Sequence, residues 1–180
     1  MAELDDDARS LLSLPIELAD ALVSEAYACG NSSDRFDREI VILAELANRF
    51  VTEDNTELRS RTIHNLNLDP DHNRRPFHWA LEFPEVFENE ECGFDAIVGN
   101  PPFMGGQRIT GNLGQLYREY LISWLAEERR GSADLVAYFF WRAYRLLKIG
   151  GNFGLLATNT ISEGATRQVG LEPLCEQSAI

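Results

Sequence analysis

The sequence predicts an α/β fold, a parallel sheet preceded by a helical segment. Three observations point there. Apolar residues recur at helical spacing over residues 12–50. Two short apolar runs, one ending at Gly99 and one at Ala157, read as strands. Between them lies a long helical pattern, which is the order of a crossover in a parallel sheet.

The elements follow in order. Leu14, Leu18, Ala21, Leu22 and Glu25 sit at helical spacing behind Pro15. Gly30 and Asn31 suit that helix's C-terminus, and Ser33 or Asp34 suits the next N-cap. The second helix carries Leu43, Leu46, Ala47 and Phe50 on one stripe. Residues 51–76 are expected to be polar and irregular, with turn signals at Asp69-Pro70-Asp71 and Arg75-Pro76. Residues 77–87 are dense in aromatics and read as a short element ending at Pro84, then a docked turn. Phe94-Asp95-Ala96-Ile97-Val98-Gly99 reads as a buried parallel strand. Residues 104–114, with Gly105, Gly106, Gly111 and Gly114, are expected to form a flexible loop. Helices are expected at about 115–128 and 134–148, the second closed by Lys148-Ile149-Gly150-Gly151. Residues 152–157 read as the second buried strand, followed by the loop Thr158-Asn159-Thr160-Ile161-Ser162-Glu163-Gly164. The last residues, 171–175, are expected to stop without completing an element. Ligands in such sheets gather outside the carboxyl ends of the strands, where Asn100 to Phe103 and Thr158 to Ser162 fall.

Composition narrows the function. At 180 residues the chain can bury a core without disulfides or metal. A net charge of -13 makes it a poor nonspecific nucleic-acid binder, so any basic surface must be local or lie on another chain or segment. Cys29, Cys92 and Cys175 are odd in number and far apart, which argues against disulfides and zinc and for a cytoplasmic setting. His64, His72 and His78 match no metal spacing and read as surface or packing histidines. Asp5, Asp6 and Asp7 near the start do not resemble a secretory signal, and no apolar run is long enough to cross a membrane. The glycines at 105, 106, 111 and 114 are not followed by the Lys-Ser/Thr of a phosphate loop, and Ser123 and Ser162 lack nucleophile-elbow glycines.

The chemistry concentrates in Asn100-Pro101-Pro102-Phe103. Two consecutive prolines fix φ, remove two backbone donors and hold the preceding residues extended. The result is a stiff turn offering acceptors, the Asn100 side-chain oxygen and the Pro101 carbonyl. Two convergent acceptors suit an amino group that donates two hydrogens, and they would localise its lone pair. Phe103 offers a flat face for a planar base, and such stacking is worth about 1–3 kcal/mol.

Phe94 to Phe103 resembles the catalytic motif of amino-methyltransferases that use S-adenosyl-L-methionine. With Phe77-His78-Trp79, residues 82–87, Asp134-Leu135, residues 146–151 and residues 158–164, it is similar to the large adenine-specific DNA methyltransferases of bacterial restriction-modification and phage-defence systems. The resemblance covers about residues 77–170. It implies part of a Rossmann-like methyltransferase parallel sheet. Residues 1–76 would be a helical, insertion-like segment with a polar tail, and 77–180 a partial catalytic domain. It further implies that Asn100 and Pro101 accept from the target adenine's amino group, with Pro102 stiffening the turn. Phe103 would stack on that adenine once it is flipped out of double-stranded DNA, and Phe139 would lie near the cofactor's adenine.

One departure matters. The family's glycine-rich cofactor motif is missing from residues 1–99. The expectation is therefore a fragment, inactive alone, whose cofactor-binding and target-recognition parts lie on a second chain or segment. Two alternatives stand beside it. One is methylation of a protein glutamine or of RNA amines by the same acceptors. The other is a non-catalytic remnant or partner subunit of a split enzyme.

Overall fold

The computed structural model describes residues 2–52, 56–67, 74–88 and 90–177. It divides into two compact units, 1–84 and 85–180. The aromatic run from Phe77 to Phe83 therefore packs with the helices of the first unit. Asp69-Pro70-Asp71 and His72 lie outside the described residues.

The first unit is built on three helices, α1 (Ala2–Cys29), α2 (Ser33–Thr52) and α3 (Thr56–Leu66). Helix α1 runs through Pro15 and begins well before the start expected from the sequence. A proline removes one ladder hydrogen bond, and a helix of 28 residues tolerates that loss. Ala21, Leu43, Leu46 and Leu58 form the core, with Leu18 and Ile40 packed against it. Helix α3 corrects the expectation of an irregular stretch. Its sequence holds few apolar residues, and only Leu58 and Leu66 of them are buried.

Polar partners across the unit hold α3 in place. Glu25 on α1 is buried, and its carboxylate accepts from Arg61 and, at 2.9 Å, from the Asn65 side chain. Arg61 also pairs with Glu39 on α2. The hydrogen bond to Glu25 is the main reason the Arg61 guanidinium holds its proton still more tightly than usual. Next to this network, His78 bonds Asp20 at 2.7 Å, and Arg74 lies over the Tyr27 ring and donates to its hydroxyl at 3.0 Å. His78 is thus a packing histidine, and His64 is exposed on α3. Trp79, in the short helix α4 (Trp79–Glu82), contacts the Phe77 ring edge-on and stacks on Phe83.

The second unit opens with the short helix α5 (Pro84–Phe87) and holds a two-stranded parallel sheet. Strand β1 is Phe94–Gly99 and β2 is Leu147–Leu155. Phe94 pairs with Leu147, but Ala96 already pairs with Asn152, so residues 148–151 bulge out of β2. Gly150 has φ +79 there, and a Cβ on Gly151 would lie 2.8 Å from the Phe94 carbonyl. The glycines expected to close a helix instead serve this bulge. The chain between the strands forms α6 (Gly106–Leu113), α7 (Gln115–Tyr120), a π-helical turn (Leu121–Leu125) and α8 (Leu135–Leu146). After β2 come a 3-10 turn (Asn159–Ser162), α9 (Gly164–Thr166), a second π-helical turn (Arg167–Leu171) and α10 (Glu172–Gln177).

Helix α6 replaces the expected flexible loop. Ile109 is buried on it, and a Cβ on Gly106 would meet the Ser132 and Ala133 backbone at 2.4–2.6 Å. Helix α10 likewise corrects the expectation that residues 171–175 complete no element, since Pro173 and Leu174 are buried. The core gathers on α8, where Trp141 and Tyr138 are buried with Ile109, Leu121, Val169 and Leu174. The Trp141 indole N–H donates to the Val169 carbonyl at 2.7 Å. The strands are parallel as expected but not buried. Val98 is 86% exposed and Leu156, just past the end of β2, 64%, because among the described residues each strand has a single partner and α8 covers the sheet only in part, through Phe140 against Phe153.

Two stability outcomes follow. Arg61→Met leaves Glu25 buried without its cation. Because Arg61 is itself 31% exposed, the loss should be about 2–3 kcal/mol in urea unfolding, below the range for a fully buried pair. Gly170→Ala places a Cβ 2.7 Å from that of Ala137, so unfolding should show a loss of about 1–3 kcal/mol.

Candidate functional site

Both loops of interest leave the same end of the sheet. The Leu156 N–H donates to the Gly99 carbonyl at 3.0 Å, which continues the parallel ladder up to Asn100. Pro101 is buried and anchors the turn, while Asn100 and Pro102 are exposed. Phe103 is 49% exposed. Phe139, on α8, is 40% exposed although its neighbours Tyr138 and Trp141 are core residues. Among the described residues the Asn100 side chain makes no hydrogen bond, and the Phe103 and Phe139 rings make no ring contact. An exposed amide and two exposed aromatic rings are thus presented by elements whose own packing does not use them.

The element that holds the turn is the start of α8 at Asp134-Leu135, which the sequence marks as a helix start and as part of the family resemblance. Asp134 caps α8, its Oδ1 accepting from the Val136 N–H at 3.1 Å. The same oxygen accepts from the Met104 N–H at 3.2 Å. In return the Leu135 N–H donates to the Met104 carbonyl at 2.9 Å. The residue after Phe103 is therefore tied by both its backbone groups to the first turn of the helix that carries Phe139. A third tie comes from beyond β2, where the Asp134 N–H donates to the Thr166 hydroxyl at 3.1 Å. Thr166 is 7% exposed, so water competes little for this bond. The sequence signal was an acidic residue directly before an apolar helical run; its second and third partners are distant in the chain and carry no pattern.

The loop after β2 organises itself. The Thr158 and Thr160 hydroxyls bond at 2.6 Å, the Asn159 side chain donates to Glu163, and the Ser162 hydroxyl donates to the Asn159 carbonyl. Asp95, at the other end of β1, pairs with Lys148 at 2.8 Å. That hydrogen bond holds its carboxyl below the usual range, and it serves strand pairing away from the turn.

Charge is unevenly distributed. Against the chain's -13, residues 100–171 hold eight basic and five acidic residues, a local net charge of +3. The second unit as a whole, 85–180, holds eight basic and twelve acidic residues, four of the acidic ones in residues 85–91 ahead of β1. Among the described residues no cluster of His, Cys, Asp and Glu could hold a metal ion, and no helix is long and apolar enough to cross a membrane.

The Asp134 junction makes a direct prediction. Asp134→Ala should cost about 0.5–2 kcal/mol and speed hydrogen exchange at the Met104 amide, whereas Asp134→Asn keeps an oxygen acceptor and should retain most of both. Unfolding and amide exchange by NMR measure the two effects.

Comparison with known proteins identifies a family. No solved structure matches the chain. A predicted type II restriction enzyme and methyltransferase of Methanocaldococcus jannaschii is 29% identical over 92 residues. That match covers 50% of this chain and 7% of the relative's length. Residues 9–172 match the Eco57I restriction-modification methylase family, a span that takes in the helical unit as well as the clamped turn and the loop after β2. With nearly its whole length inside that match, the chain belongs to the Eco57I restriction-modification methylase family.

Proposed function

We propose that the chain carries the amino-acceptor site of an S-adenosyl-L-methionine-dependent, adenine-specific DNA methyltransferase. One observation carries the reading. The Asn100 amide and the Phe103 ring are exposed and unengaged among the described residues, on a backbone held by Asp134. A purely structural Pro-Pro turn gives no reason to leave both groups open next to so constrained a backbone.

In this reading the Asn100 Oδ1 and the Pro101 carbonyl accept the two hydrogens of the adenine amino group. Those bonds favour a pyramidal nitrogen and localise its lone pair, which conjugation with the ring otherwise withdraws. Phe103 stacks on the flipped base and fixes its plane. Asp134 contributes indirectly, by keeping the turn in one geometry so that reorganisation is not required during reaction. S-adenosyl-L-methionine, when bound, supplies a methyl group on a cationic sulfur, an electrophile for that lone pair. Phe139 suits one face of the cofactor's adenine ring. Among the described residues ahead of β1 there is no strand followed by a glycine-rich turn, so this reading assigns the remainder of the cofactor cradle to another segment or chain.

The exposed Val98 on β1 and Leu156 just past the end of β2 favour the same division, since further strands would cover them. This is also what a partner subunit of a split enzyme would present. Protein glutamine and RNA amines share the two-hydrogen chemistry and are outcomes of the test. The purified 180 residues alone are expected to transfer no labelled methyl group to DNA. Co-expressed with the neighbouring reading frames that supply a cofactor segment and a recognition region, the chain should place label on the adenine amino group of duplex DNA. Asn100→Ala should then lower the rate on the order of 10²–10³-fold. Label on protein or RNA instead, or robust transfer by the isolated chain, would overturn the corresponding part of the reading.

A further inference from the structure

Eight cationic side chains lie in residues 100–171, and six of them are engaged. Arg129 and Arg145 pair with Glu127, Arg130 with Glu119, Lys148 with Asp95 and Arg167 with Glu172, while Arg118 donates to the Gly131 carbonyl. Arg108 and Arg142 are the exceptions. Both are exposed, and among the described residues neither side chain has an ion pair or hydrogen bond.

Their positions are not arbitrary. Arg108 sits in the first turn of α6, four residues beyond Met104, and its N–H donates to the Gly105 carbonyl at 2.8 Å. Arg142 follows Phe139 by three residues on α8, so the two share one exposed face of that helix. It stands seven residues from Leu135, or about 10 Å along the helix from the Met104 clamp. Protein atoms also crowd the Arg142 guanidinium, and this desolvation lowers its pKa. A cation partly stripped of water and lacking an acid gains more from an incoming anion than a fully hydrated one.

We propose that Arg108 and Arg142 are contacts to backbone phosphates of the duplex DNA that delivers the target base to Phe103. This rests on the DNA methyltransferase reading and assigns two residues to the substrate's sequence-independent part. Each arginine that neutralises a phosphate releases a condensed counterion, so each leaves a signature in the salt dependence of binding. The assignment gives a role to the two cations of the second unit that have no partner among the described residues, in a chain that is acidic as a whole.

The test is fluorescence anisotropy of the full chain with a labelled duplex containing an unpaired adenine, over a salt series. Arg108→Gln and Arg142→Gln should each weaken binding and reduce the slope of log K against log salt by about 0.9. Arg130→Gln, which removes a cation already paired with Glu119, should leave the slope unchanged. Circular dichroism confirms that each variant is folded. If wild type binds the duplex and both variants keep its slope, the arginine assignment fails while the DNA reading stands. If wild type binds no duplex at low salt, the arginine assignment fails while the DNA reading, which places target recognition on another segment or chain, stands; if wild type prefers an RNA hairpin, both fail.

Discussion

One carboxylate oxygen organises the second unit. Asp134 Oδ1 accepts from both Val136 and Met104, while its own N–H donates to Thr166. Three segments distant in the chain meet there: the turn after β1, the start of α8 and the helix beyond β2. Each bond alone is modest, about 1 kcal/mol net for a neutral pair and more for a charged acceptor. Their effect is geometric. Asn100 to Phe103 have prolines on the inside and the clamped Met104 directly after them, so the backbone that carries the exposed amide and ring has few conformations to sample. A loop that is both exposed and constrained is what a binding surface needs, because little ordering entropy remains to be lost on binding.

The rest of the unit serves that junction. Gly106 lets α6 approach the Ser132–Ala133 backbone, and Gly170 lets the second π-helical turn approach Ala137 on α8. Trp141 joins α8 to Val169, so the helix beyond β2 is held at two points, its indole bond and the Thr166 hydroxyl. The sheet is the weaker partner. Val98 on β1 and Leu156 just past β2 are open, and the stability of the unit comes from the helical layer around α8. The first unit uses a different device, a buried carboxylate with an arginine and an asparagine, to hold a helix that has too few apolar residues to dock by itself.

Much of this was legible in advance. Helices α2 and α8 and strand β1 announce themselves by apolar period and by caps, which are local properties. Asn100-Pro101-Pro102-Phe103 was legible because proline acts on its neighbours directly. Helices α3 and α6 were not. Thr56 to Leu66 looks like a polar linker until Glu25, 36 residues before Arg61 and 40 before Asn65, supplies its buried acceptor. Gly106 to Leu113 looks like a glycine-rich loop until Ile109 finds the α8 core. The bulge at residues 148–151 shows the reverse case, in which the glycines were read rightly as a special backbone position but assigned to the wrong element.

The sequence by itself determined the alternation of helix and strand, the stiff acceptor turn and the total charge. All of these depend on residues within a few positions of one another or on simple sums. Tertiary structure alone decided which polar residues become anchors and which remain open. Asp134 could have been an ordinary cap, and nothing local distinguishes Arg108 and Arg142 from the six paired cations around them. Pairing is a property of distance in space, and chain proximity does not encode it beyond a helical turn. The same holds for burial, since apolar strands become a core only when another surface comes to cover them.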